Sequence, residues 1–232
     1  MSTREADAAI ERLARSLVPL PAQPAGTPWP TGAWPAGDPV PEIAPLLDAM
    51  HADETRYGMT YATVVVVRGR LVHERYGGAL PHFDRSATPV EPHTPLLSWS
   101  MAKSVLHCAI GVLVGEGKLT LHAPAPVPAW ANDERADITL EQLLCMRDGL
   151  AYNEDYVDAG ESDVIEMLFG AGIHDVAGYA IARPLAHEPG TVFNYSSGTS
   201  NIVARILGDV VGSGDATRAF LRRAVFDPIG MR

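Results

Sequence analysis

The chain reads as an α+β protein, on three observations. Two β-branched runs lie close together, at residues 61–68 and 71–76. Segments of helical period follow them at 100–115, 139–146, 164–169, 176–182, 201–211 and 216–225. Strands and helices therefore do not alternate as a parallel, doubly wound sheet requires. The 232 residues suffice for one large domain or two small ones with a proper core.

The elements can be justified in order. Residues 5–18 carry Ala9, Ile10, Leu13 and Leu17 on one helical stripe. From Pro19 to Pro45 there are nine prolines, a density that removes amide donors and forbids regular structure. Residues 1–41 are thus expected to be a helix and a Pro-rich arm, with Trp29 and Trp34 laid against the body. The compact domain is expected over 42–232. It opens with a helix at 43–57, with Ile43, Leu46, Leu47 and Met50 on one face. A hairpin turning at Arg68-Gly69-Arg70 comes next. Residues 81–97 read as a loop. The segment 100–115 is apolar almost all round and reads as a helix buried in the interior. A helix at 139–146 is stopped by Gly149, and residues 151–163 are acidic and irregular.

Composition narrows the function. A formal charge of -10 with no basic stripe argues against nucleic acid as a partner. The longest uncharged apolar run, about 105–115, is far short of the ~20 residues that span a bilayer, so no membrane partner is expected. The N-terminus carries acids and has no apolar core of a secretory signal. Cys108 and Cys145 are the only cysteines and read as small buried hydrophobes in a reduced, cytoplasmic protein. The eight histidines show no metal-binding spacing, and no cofactor is expected.

Chemistry enters at Ser100-Met-Ala-Lys103. A serine hydroxyl is a poor nucleophile until a neighbouring base takes its proton. Residues three apart on a helix share a face, so Ser100 and Lys103 aim a hydroxyl and an amine at one spot. Burial would disfavour the ammonium, as a lysine base requires. The helix N-terminus offers free amides to a developing oxyanion. The pair stands out because the chain has 11 serines but only two lysines, making a chance occurrence uncommon. A second element is Val192-Phe-Asn-Tyr-Ser-Ser-Gly198, a small-residue turn before a helix. There the Tyr195 ring is expected to be anchored by Phe193, with its hydroxyl free to enter a cleft.

Ser-x-x-Lys followed about 95 residues later by Tyr-x-Ser resembles the penicillin-recognising serine hydrolases of class C type. The stretches Leu143–Leu150, Glu154-Asp-Tyr156 and Pro184–Tyr195 are most similar to the 6-aminohexanoate-dimer (nylon oligomer) hydrolases. The resemblance implies a β-lactamase/transpeptidase-like fold: an antiparallel sheet, of which only the first strands are present, packed with helices, plus a largely helical subdomain. It also implies an acyl-enzyme mechanism on a small amide or ester. Ser100 attacks, Lys103 receives its proton, Tyr195 relays a proton to the leaving group, and the Ser100 amide supplies one oxyanion donor. Glu154, Tyr156 and Ser197 are implied to contact substrate.

The family's third motif, Lys/His-x-Gly on a later strand, has no counterpart after Tyr195. The chain is therefore expected to be the first part of a longer protein and a poor catalyst alone, with an open sheet edge that favours a homodimer. Three decoys are set aside. Ser162-Asp163-Val164 only approximates the Ser-Asp-Asn of class A β-lactamases. His107 lies two turns from Ser100 and reads as a core histidine. Gly212 and Gly214 read as a helix C-terminus rather than a nucleotide loop. A carboxylesterase or β-lactamase on the same scaffold, and a non-catalytic binding homologue, remain as alternatives.

Overall fold

The computed structural model describes residues 22, 24–82, 86–157 and 160–231. The helix expected at 5–18 lies outside the described residues. The described residues divide into two units, one built from those within 99–227 and the other from those within 22–98 with 228–231.

In the second unit, α1 (Ala44–Ala52) and α2 (Glu54–Tyr57) replace the single helix expected at 43–57. Asp53 causes the break. It ends α1, and its carboxylate caps α2 by accepting from the Arg56 amide at 3.1 Å. The hairpin forms as expected, with β1 (Ala62–Val67) antiparallel to β2 (Arg70–Tyr76). Arg68 and Gly69, both at positive φ, make the two-residue turn, and a register shift falls between Val65 and Val66. The Pro-rich arm is held by backbone and not by its tryptophans. Gly37 donates to Leu71 O, and Leu71 donates to Pro35 O, each at 2.8 Å. Trp29 stays 71% exposed and Trp34 49%, contrary to expectation. The segment read as a loop at 81–97 contributes a short strand, because β3 (Ala79–Leu80) pairs with β4 (Thr88–Pro89). A two-residue ladder leaves no periodic trace in sequence.

The first unit holds the helices: α3 (Ala102–Gly115), α4 (Leu140–Leu144), α5 (Asp163–Phe169), α6 (Val176–Ile181), α7 (Ser197–Val211) and α8 (Asp215–Leu221). A π-helical stretch, Arg222–Phe226, follows, and the one-turn α9 (Asp227–Ile229) crosses the boundary between the units in chain order. Side chains cap four of these helices, that of α7 being Ser196. Thr139 and Gln142 form a reciprocal capping box on α4, Ser162 accepts from the Ile165 amide at α5, and Asp175 accepts from the Gly178 amide at α6. The Ser162-Asp163 decoy is therefore a helix start, and Gly212 closes α7. Helix α7 is central. Thr199, Ile202, Val203, Ile206 and Leu207 are buried at helical spacing, and α3, α4, α6 and α8 pack around it. With Ile110, Leu113, Trp130, Ile138, Leu140 and Met167, the four apolar residues of that face form one core, each large side chain contributing about 1.5–3 kcal/mol by burial.

Helix α3 corrects one expectation. It is buried on one face only, at Ala109, Ile110 and Leu113, while Ser104, His107, Cys108 and Gly111 are exposed. Hydrophobic residues outnumber the positions its packing covers. Cys108 and Cys145 are accordingly exposed thiols and not buried ones, and His107 is no core histidine.

Candidate active site

The site is assembled where two helices begin. Trp99–Met101 forms a 3-10 turn leading into α3. Trp99 sits at φ 44, a left-handed conformation costing roughly 1–2 kcal/mol for a residue with a side chain. Strain of this kind collects at functional sites, and here it makes the sharp turn that lifts Ser100 onto the surface ahead of the helix. Lys103, half-buried, lies one turn on, with its Nζ 3.0 Å from Ser100 Oγ.

The second helix start is fixed more firmly. Asn194 anchors the approach, its amide donating to Met146 O and its side chain to Tyr152 O, each at 2.9 Å. Phe193, expected to anchor the ring, is 65% exposed. Ser196 caps α7 by accepting from the Thr199 amide at 2.9 Å. Thr199 in turn donates its hydroxyl to Asp148 Oδ2 at 2.7 Å, and the Leu150 amide donates to Asp148 Oδ1 at 2.9 Å. Asp148 and Thr199 are both buried. Burial pushes the Asp148 carboxyl above its ordinary range, opposed by those bonds. Gly198 permits the close fit, since a Cβ there would lie 2.5 Å from the Tyr152 ring.

With Ser196 turned inward as the cap, its neighbours face the other way. Tyr195 donates its hydroxyl to Ser100 Oγ at 2.6 Å, and its ring centre lies 5.0 Å from Lys103 Nζ. Ser197 Oγ accepts from Lys103 Nζ at 3.3 Å. The loop of 151–157 adds Glu154, which accepts from the Ser197 amide and the Ser197 hydroxyl, both at 2.6 Å, and from the Tyr156 hydroxyl. The Tyr156 phenol is pushed up to about 12, first by loss of water around it and then by its bond to Glu154 and that carboxylate's charge.

The six residues picked from sequence thus lie in one connected network. Sequence reading missed Asp148, Asn194 and Ser196, which hold the second helix start. Ser196 was legible as a cap from Ser-x-x-Thr at a helix start. Asp148 carried no signal, because Arg-Asp-Gly reads as an ordinary helix stop. Among the described residues, no group of three or more His, Cys, Asp or Glu side chains could hold a metal ion, and no helix is long and apolar enough to cross a membrane.

A serine placed between an amine and a phenol, on abutting helix starts, is the arrangement that the family resemblance implied. A sequence model described as Beta-lactamase matches residues 43–232. The chain belongs to the Beta-lactamase family. Its fold is β-lactamase/transpeptidase-like, and solved structures bear this out. One is assigned as a 6-aminohexanoate-dimer hydrolase from Bacillus anthracis, with TM-score 0.61 and 23% identity over 79% of this chain and 47% of that one. Another is a family VIII carboxylesterase, with TM-score 0.59 and 23% identity over 84% and 51%. A third is an octameric penicillin-binding protein homologue from Pyrococcus abyssi, with TM-score 0.59 and 20% identity over 82% and 43%. The chain therefore spans about half the length of these structures. No curated protein matches it in sequence.

Proposed function

We propose that this member of a hydrolase family is a serine hydrolase that cleaves small amide or ester substrates through an acyl-enzyme. The observation that carries this reading is the double contact at Ser100 Oγ, with Lys103 Nζ at 3.0 Å and the Tyr195 hydroxyl at 2.6 Å. Both lie within the reach that proton transfer requires. In the proposed cycle, uncharged Lys103 takes the Ser100 proton as Oγ bonds to the substrate carbonyl carbon. The carbonyl π pair moves onto its oxygen, which faces the Ser100 amide. Collapse expels the amine or alkoxide, which leaves with a proton delivered by the Tyr195 hydroxyl; Lys103 returns its proton to Tyr195. Water then attacks the acyl ester by the same proton path and frees Ser100.

A linear amide is the preferred substrate class, on the resemblance of the 143–150, 154–156 and 184–195 stretches to the 6-aminohexanoate-dimer hydrolases. A carboxylesterase is the second reading, favoured by the equally similar esterase fold. Residues 42–232 are proposed as the catalytic part, and acylation is its direct readout. A fluorophosphonate probe should label Ser100, mapped by mass spectrometry, and Ser100→Ala should abolish labelling. A chain that is folded by circular dichroism yet unlabelled overturns the proposal in favour of a binding role. Turnover of a linear amide dimer, p-nitrophenyl acetate and nitrocefin then separates the substrate classes.

A further inference from the structure

We infer that Glu154 is a positioning residue that sets the direction of the hydrogen bonds around Lys103, acting through Ser197. The inference rests on the proposed roles of Ser100 and Lys103. An ionised carboxylate offers only acceptors, and Glu154 has three donors on its two oxygens: the Ser197 amide on Oε2, and the Ser197 and Tyr156 hydroxyls on Oε1. Because the Ser197 hydroxyl spends its one hydrogen on Glu154, its oxygen presents only lone pairs to Lys103 Nζ at 3.3 Å. Nζ therefore donates on that side. Nζ donates to Ser100 Oγ at 3.0 Å as the ammonium, and in the uncharged form its lone pair turns to that oxygen instead. Ser100 Oγ accepts from Tyr195, so its own hydrogen points at the amine. Every bond in the series is oriented by the carboxylate at its far end. Once Lys103 has taken the proton, the same negative charge sits one hydroxyl away from the ammonium. The titratable groups facing Lys103 are Tyr195 from the approach to α7 and, through Ser197, Glu154, with Tyr156 beyond it.

Glu154→Gln tests the direction with almost no change of volume. A side-chain amide has a single acceptor oxygen. The Ser197 backbone amide cannot turn, so it keeps that oxygen. The new NH2 then meets the Ser197 and Tyr156 hydroxyls, which must become acceptors. The Ser197 hydrogen swings toward Nζ and competes with Ser100 for its lone pair.

The experiment measures the fluorophosphonate labelling rate of Ser100 in the full chain at one fixed pH. It compares the parent with Glu154→Gln, Ser197→Ala and Ser197→Thr, and the melting temperature of each is recorded. Glu154→Gln should slow labelling roughly 10-fold or more. Ser197→Ala should also slow labelling, and Ser197→Thr, which keeps the hydroxyl, should recover most of that rate. A Glu154→Gln chain that labels at the parent's rate overturns the inference while leaving the proposed function standing. If Glu154→Gln does not fold, the Ser197 pair decides, and equal rates for Ala and Thr overturn the inference. A folded parent that is never labelled removes the proposed function, and this inference with it.

Discussion

Replacing Asp148 by alanine should unlock the second helix start without touching Ser100, Lys103 or Tyr195. Asp148 is 4% exposed and receives two bonds, from the Thr199 hydroxyl at 2.7 Å and the Leu150 amide at 2.9 Å. Thr199 and Leu150 are themselves 1% and 3% exposed, so neither donor can turn to water. Leaving a buried donor unpaired costs about 1–3 kcal/mol, and two of them cost roughly 2–6 kcal/mol. At about 2–4 °C per kcal/mol for a chain of this size, Asp148→Ala should melt on the order of 10 °C lower. Asp148→Asn behaves differently. Its oxygen still accepts from Leu150, its NH2 can donate to Thr199 once that hydroxyl rotates, and the loss should stay under about 1 kcal/mol. The pH dependence sharpens the test. Burial raises the folded carboxyl above its unfolded value, so the stability it contributes is complete at acid pH and is lost as pH rises through the folded value. Asparagine has no such loss, so its stability relative to the parent should improve from about pH 4 upward. Urea unfolding at pH 4, 5.5 and 7, followed by the fluorescence of buried Trp130, measures both effects. Equal destabilisation by alanine and asparagine, or an asparagine variant with the parent's pH slope, would refute the reasoning.

Three further outcomes are expected. Tyr195→Phe removes the hydroxyl 2.6 Å from Ser100 Oγ and should reduce turnover by on the order of 10²-fold or more, measured on whichever ester or amide is cleaved, with folding unchanged by circular dichroism. Gly198→Ala drives a methyl into the Tyr152 ring; an overpacking cost of about 1–3 kcal/mol and slower labelling of Ser100 should appear together in denaturation and probe assays. Ile110→Ala, at a fully buried position, should cost about 2–5 kcal/mol in denaturant unfolding.

Ser100 and the side chains around it were legible because the signals were local or came as a spaced set. Ser100 and Lys103 share one turn, and Tyr-x-Ser at the expected distance supplied the rest. The hairpin and the helix starts were also readable, since turn and cap residues announce them. What escaped was set by tertiary context. The apolar residues of 100–115 give no hint that only Ala109, Ile110 and Leu113 are covered, because periodicity reports what can be buried and not what a neighbour supplies. Trp29 and Trp34 misled for the same reason. Asp148 was invisible because its partner Thr199 lies 51 residues away. Glu154 was placed near the site by resemblance, but the three donors it serves became visible only in coordinates.

Both halves of the network ride on rigid rods. Ser100 and Lys103 are carried by the head of α3, and Tyr195 and Ser197 by the head of α7, with the two helices packed side by side. The gap between hydroxyl and phenol is therefore a gauge of how well that seam is filled. A methyl group lost deep along it should register as a change in serine reactivity before any loop has moved. The loops around the rods can be exchanged in such a scaffold, while the spacing of Ser100, Lys103 and Tyr195 is inherited from the core.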